Sequence, residues 1–450
     1  MTDFSGFTCG FAVSRFVEKM HATDIPKNPT GDLLYGPSSN LMSALEPRDV
    51  WPLHPGITFL NHGSFGSCPK PVRDAQDHYR ACLESEPIDF LVRDLEPLLD
   101  KARGALASFI GATPKNLVFV PNVTTGINAV LRSLRFSPGD ELLVTNQEYN
   151  ACRNVLNYVA ELSGATVVVA EIPFPIADPA QAIEVLRSAL TPRTRLALVD
   201  HVTSQTGVVL PIPEIIQLLR ERGVLVLVDG SHAPGMIPLF LDAWAPDFYT
   251  ANCHKWICAP KGAGFLVVNE TLQSKVRPTV ISHGANSSRT DRSRYLIEFA
   301  WPGTHDPSAF LSVPHALEFM ATLLPGGWPA LMARNRALAL AARAKLCDTL
   351  GVPPPAPESM IGSLAAVPIA EAHSECRPTS PLYIDSLQET LRWRHNIEVP
   401  VIPWPAFPKR LLRISAQVYN SLDQYDALCL ALTTLNLESE PRGSNRRHLS

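Results

Sequence analysis

Between Thr58 and about Ala300 the chain alternates short, unbroken apolar runs with stretches of helical periodicity, and nothing else in it constrains the fold as tightly. The runs are Leu117–Val120, Glu141–Thr145, Thr166–Ala170, Leu196–Asp200, Val224–Asp229, Phe248–Ala251 and Gly264–Val268. Amphipathic segments such as Ile127–Leu134, Arg153–Leu162, Gln181–Leu190 and Pro213–Arg222 lie between them. A strand that is apolar along its whole length, with no polar face, must be covered on both sides. The alternation therefore predicts an α/β fold whose mostly parallel seven-stranded sheet is sandwiched by helices.

From about Pro314 the pattern changes. A helical stretch at Ala330–Leu350 is followed by the proline cluster Pro353–Pro357, strand-like pieces at Ala365–Ile369, Ile397–Ile402 and Leu411–Ser415, and a last helix at Leu422–Leu435. The expected organisation is an arm at 1–50, a large ligand-binding domain at 51–312, a smaller α+β C-terminal domain at 313–437 and a polar tail at 438–450. The first residues of the large domain can pack on the small one.

Hydrophobic residues make up 46% of the 450 and charged ones 18%, which supports a globular chain with a large core. A net charge of −4 without a dense basic run argues against nucleic acid as a partner. No apolar run approaches the roughly 18 residues of a membrane span. The N-terminus lacks the pattern of a secretory signal, so a cytoplasmic protein is expected. Nine cysteines, spread from Cys9 to Cys429, form no even disulfide framework. Cys253 and Cys258 are too widely spaced for a tight CxxC, so no metal is expected.

Open α/β sheets bind ligands beyond the carboxyl ends of their strands, and five segments fall there. Asn122-Val-Thr-Thr-Gly-Ile-Asn128 runs from a strand into a helix, where small residues, hydroxyls and the helix dipole can cradle a phosphate. Tyr149, in Gln147-Glu-Tyr-Asn150, can stack on a flat ring or serve as a core tyrosine. Asp200-His-Val-Thr-Ser-Gln-Thr-Gly207 presents hydroxyls, and Asp229-Gly-Ser-His-Ala-Pro234 begins with an acid closing an apolar strand. A carboxylate buried there needs a charged or hydrogen-bonded partner. Finally, Asn252-Cys-His-Lys-Trp256 sets a lysine among apolar residues, which favours the neutral amine needed for imine formation. An acid to hold a pyridine nitrogen and a lysine to hold an aldehyde together suggest pyridoxal 5'-phosphate (PLP).

Leu-Asn-His-Gly-Ser-Phe-Gly (60–66), Pro-Ile-Asp-Phe-Leu-Val-Arg (87–93), Val-Asp-Gly-Ser-His-Ala-Pro-Gly-Met (228–236), Gly-Thr-His-Asp-Pro (303–307) and Leu-Arg-Ile-Ser-Ala-Gln-Val-Tyr-Asn (412–420) add to these marks. Together, from about Leu60 to Asn420, they resemble the class V aminotransferase family of PLP fold-type I, in its isopenicillin N epimerase-like branch. The resemblance implies that Lys255 forms the Schiff base, that Asp229 pairs with the pyridine nitrogen and that Tyr149 stacks on the ring. It further implies Ser204 and His232 near the ring hydroxyl, and Thr124, Thr125, Asn252 and His254 on the phosphate. In a homodimer with its sites at the interface, Thr304 of the partner subunit would complete that phosphate site. Arg413 would clamp the α-carboxylate of an amino-acid-type substrate, and Asn61 and His62 would line the substrate side.

Such a site takes a proton from the α-carbon. Its return on the opposite face gives an epimerase or racemase, the outcome the resemblance favours. Loss of a β-substituent gives a carbon–sulfur β-lyase, of the desulfurase or ergothioneine sulfoxide lyase kind, and some relatives join carbon–carbon bonds. Desulfuration by a cysteine nucleophile is disfavoured, because His395–Pro405, where that loop falls, holds no cysteine and Cys376 lies well before it. Arg-Thr-Asp-Arg-Ser-Arg (289–294) matches no motif.

Overall fold

The structure, a computed structural model, describes residues 47–372 and 384–439. Most of the 1–50 arm, Cys376 and nearly all of the 438–450 tail lie outside these residues. After β1 (Thr58–Phe59) come the strands of the main sheet: β2 (Leu117–Val120), β3 (Glu141–Thr145), β4 (Thr166–Ala170), β5 (Thr194–Asp200), β6 (Leu225–Asp229), β7 (Phe248–Asn252) and β8 (Gly264–Val268). Their order is β2-β8-β7-β6-β5-β3-β4. Only β8 runs against its neighbours, so the sheet is mostly parallel, as its sequence pattern requires.

Burial explains the unbroken apolar runs. Every residue of β3, β7 and β8 is buried. The edge strand β4, in contrast, leaves Thr166 exposed and Val167–Val169 half-buried. At the other edge β2 is fully buried, because helices Leu95–Ile110 and Arg294–Ala300 pack on it. Ile127, Val130, Leu142, Leu156, Leu198, Leu227, Phe248 and Leu266 form one continuous core between sheet and helices. Each contributes on the order of 1.5–3 kcal/mol by leaving water.

The C-terminal region holds β9 (Leu364–Ile369), β10 (Ile397–Glu398), β11 (Val401–Pro403) and β12 (Arg410–Ser415). An antiparallel sheet of order β11-β12-β9 is backed by the helix Gly327–Leu350, against which Leu422–Ser439 packs in turn. The single strand expected at Ile397–Ile402 is two. β10 pairs in parallel with β1, and β11 pairs with β12. Pro400 separates them: it has no N–H to give a ladder, and its carbonyl accepts the Arg413 N–H at 3.1 Å. The Ser415 N–H donates to Leu60 O at 2.9 Å, so the segment entering the main sheet is stitched to β12, which carries Arg413.

Candidate active site

β5 and β6 run in parallel with Asp200 beside Asp229 in register, and both acids are buried at the carboxyl end of the sheet. Asp229 Oδ1 accepts the Ser231 N–H at 2.8 Å, and Oδ2 accepts the Cys152 thiol at 3.3 Å. The next strand, β7, ends at Asn252 and leads into a tight loop. Cys253 N–H donates to Ala263 O at 2.9 Å and Ala259 N–H to Cys253 O at 3.1 Å, while Trp256 is buried beneath. This loop holds the Lys255 Nζ 3.1 Å from His232 Nε2. Burial lowers the lysine to about 8, against the opposing pull of Asp229. Burial, reinforced by Lys255, also keeps His232 well below its ordinary value. The result is an amine that exchanges its proton near neutrality beside a neutral imidazole.

The helix Val123–Ser133 points its N-terminus at the same place. Asn122 caps it by accepting the Thr125 N–H at 2.9 Å, and Asn252 Oδ1 accepts the Val123 N–H at 3.1 Å. The close approach of this helix to β7 requires Gly126, since a Cβ there would lie 2.2 Å from Thr250 Oγ1. His254 donates Nδ1–H to Ala263 O at 3.1 Å, and burial lowers it to about 4. Its Nε2 is therefore an acceptor in the neutral ring and a donor to an anion once protonated.

These groups surround a cavity of about 300 Å³. Thr124, Tyr149, Ser204, Asp229, His232, Asn252, His254 and Lys255 line it, all expected from the sequence, together with Ser64, Phe65, Cys152, Asp200 and Ser231. Tyr149 is 48% exposed at its rim. Arg413 is buried. Its Nη2 donates to Ser64 Oγ at 2.8 Å, its Nη1 donates to Ser204 O, and its Nε has no partner. No carboxylate pairs with it among the described residues, and burial lowers it to about 10.

Three expected residues take other places. Thr125 turns its hydroxyl to Asn122 at 3.1 Å and lines a separate, mainly apolar cavity with Phe119, Val280 and Phe310. Thr304, expected at the site of a partner subunit, is exposed and outside the lining of this chain's own cavity. Asn61 accepts from Ser64 Oγ at 2.6 Å and so acts on Arg413 at one remove. His62 is fully buried, between Tyr419 OH at 2.8 Å and Lys255 O at 2.9 Å. Asp200 and Glu148 are additions. Asp200 ends an apolar run just as Asp229 does, which is the signal that could have found it. The unmatched segment at 289–294 is ion-paired: Arg289 to Glu96, Arg292 to Asp100 and Arg294 to Glu298.

The class-V aminotransferase profile matches residues 68–376. The chain belongs to the class-V aminotransferase family. Among its relatives are the isopenicillin N epimerases of Amycolatopsis lactamdurans, 36% identical over 86% of this chain and 98% of that one, and Streptomyces clavuligerus, 34% identical over 87% and 98%. An L-cysteine desulfhydrase of Arabidopsis thaliana is 30% identical over 84% of this chain and 88% of its own. In fold it resembles the cystine C–S lyase C-DES, with a TM-score of 0.68, 23% identity and coverage of 84% and 97%. The Escherichia coli cysteine desulfurase CsdA gives a TM-score of 0.69 at 22% identity, covering 87% and 98%. This class-V member is a PLP-dependent enzyme. The cavity fits that cofactor: a low-lying lysine amine, a buried carboxylate and a helix N-terminus face one space, and His232 Nδ1 and Asp200 Oδ2 are buried there without partners.

Proposed function

We propose that this enzyme moves a proton at the α-carbon of an amino-acid-type substrate and returns it on the opposite face, as an epimerase or racemase. PLP, when bound, supplies the electron sink that makes the α-proton acidic. Lys255 would hold it and serve as the base, and a value of about 8 suits proton exchange at physiological pH. Asp229 would hold its ring nitrogen and Tyr149 would cover it, Ser204 and His232 would serve its hydroxyl, and Thr124, Asn252 and His254 its phosphate. A homodimer would bring Thr304 of the partner subunit to that phosphate and cover the exposed rim at Phe65 and Tyr149. With a division into two domains at 312/313, Arg413 would belong to the smaller one.

One observation carries the reading of the substrate. Arg413 is a buried guanidinium without a carboxylate among the described residues; it donates to Ser64 and Ser204, which line the lysine cavity, and a buried charge left so favours an anionic partner. The α-carboxylate of an amino acid supplies it in a bidentate geometry. The epimerase outcome is supported by the two epimerase relatives, which match over nearly their full length. A carbon–sulfur β-lyase is the second reading, supported by the desulfhydrase relatives. The segment His395–Pro405 is tied into β10 and β11, away from the role of a mobile nucleophile loop.

Incubation with amino acids in deuterated water tests this. Deuterium at the α-carbon with inversion and no pyruvate supports the epimerase; pyruvate with ammonia or a sulfur product supports the lyase. A colourless protein that ignores added PLP would remove both.

A further inference from the structure

Beside Asp229 lies acid that the proposed reaction leaves unused. Glu148 is 6% exposed and Asp200 is 2% exposed. A carboxyl oxygen of Glu148, the Cys152 sulfur and a carboxyl oxygen of Asp229 lie within 4.8 Å of one another, and Asp200 is the register partner of Asp229 on the adjacent strand. The three carboxyls differ in how they are satisfied. Asp229 accepts a backbone N–H and a thiol, as a carboxylate should. Glu148 and Asp200 meet carboxyl to carboxyl, and among the described residues no other side chain donates to either Glu148 oxygen or to Asp200 Oδ2, all three of which are buried, so one of the two acids must bring the proton that joins them. Lys255 and, beyond it, Arg413 are the cations facing this group; Cys152, Tyr249 on β7 and, across the cavity, the neutral His232 are the other titratable neighbours. Three ionised carboxylates in a water-poor site would repel one another without enough donors to hold them.

We infer that Glu148 and Asp200 are carried as neutral carboxylic acids, so that the trio holds one negative charge and Asp229 presents it to the cavity. The inference rests on Asp229 being the partner of the PLP ring nitrogen. Burial first, then the charges of Asp200 and Asp229, push Glu148 well above the usual carboxylate range; burial and Asp229 do the same to Asp200. Protonation also gives each acid an O–H donor, which a carboxylate lacks. Glu148 is thus a positioning residue: it touches neither substrate nor cofactor, and it fixes where the negative charge sits.

The test is Glu148→Gln, which keeps the shape and donor of a neutral acid. In the holoenzyme the visible cofactor band should keep both its intensity and the pH midpoint of its titration. Infrared difference spectra in light and heavy water should show a protonated-carboxyl stretch in the native protein that the variant lacks. An ionised Glu148 gives the opposite pair of results: no such stretch is lost, and removing a nearby negative charge lowers the midpoint by roughly one pH unit or more. One equivalent of tightly bound divalent metal in the purified protein would also overturn the inference, since Glu148, Cys152 and Asp229 would then be ionised ligands. If Glu148→Gln does not fold, the native protein alone is read: a protonated-carboxyl stretch in its infrared difference spectrum supports the inference, and its absence overturns it. Failure of the native protein to bind PLP overturns the cofactor assignment for Asp229; normal binding with a shifted midpoint overturns only the protonation proposed here.

Discussion

The imidazole of His62 holds the main-chain carbonyl of Lys255, with Nε2 2.9 Å from the oxygen. A carbonyl only accepts, so Nε2 carries the hydrogen and Nδ1 receives the Tyr419 hydroxyl at 2.8 Å. The Lys255 loop is thereby tied to the C-terminal region through one ring, which also packs on Trp256 with centroids 5.1 Å apart. His62→Ala should lower kcat about tenfold, the effect of roughly 1.4 kcal/mol, while KM is kept because Arg413 is untouched. Steady-state kinetics decide it. Loss of thermal stability with kcat intact would reduce His62 to a packing residue.

Arg413 should behave in the reverse way. If Arg413 clamps the substrate carboxylate as proposed, Arg413→Ala removes a charge-assisted pair and KM should rise roughly 100-fold. Spectroscopic PLP content should stay at the native level. Arg413→Lys should recover little, because an ammonium cannot reach Ser64, Ser204 O and two carboxylate oxygens together. An unchanged KM in Arg413→Ala would dispose of the clamp.

The main sheet was legible because both-face burial leaves a signature that no loop imitates: β2, β3 and β8 begin and end where their apolar runs do. Ile397–Ile402 was misleading for the converse reason. Its apolar residues satisfy two different partners, and only tertiary pairing with β1 reveals the break at Pro400. Lys255 and Asp229 were readable from residue type and position at or after the end of a strand, whereas Arg413, inside β12, was named only through the family resemblance. The place of His62 was not, because its partners Tyr419 and Lys255 O are remote in sequence and one is backbone. Glu148 was hidden beside Tyr149, since a glutamate next to a helix start ordinarily faces solvent.

Gly66 offers a backbone test of the same loop. Its φ is +68°, and a Cβ there would lie 2.0 Å from His254 O and 3.0 Å from Lys255 Cα. Both obstacles are main chain and cannot swing aside. Gly66→Ala should therefore cost at least about 2 kcal/mol and loosen the lysine loop. Chemical denaturation and PLP retention should fall together. A variant with native stability would mean the loop has room that these distances deny.

Acid should find the buried histidines. Burial lowers His201 from its ordinary 6.5 to about 3, and its Nδ1 meets the Tyr249 hydroxyl at 2.9 Å. The unfolded chain takes up this proton near pH 6.5, whereas the folded chain resists until about pH 3. The unfolded state thus binds more protons across that window, so stability is whole above 6.5 and declines as pH falls through it. The slope approaches about 1.4 kcal/mol per pH unit for one such group. The raised acids Glu148 and Asp200 work in the opposite sense above their unfolded values, so the histidine contribution must be isolated by difference. Urea unfolding of the native protein and of His201→Phe at pH 7 and pH 5 does this. The variant pays a constant penalty for the stranded Tyr249 hydroxyl at both values, so its lead or deficit relative to the native protein should move in its favour by roughly 2 kcal/mol on acidification. Parallel curves for the two proteins would show that His201 is charged in the fold.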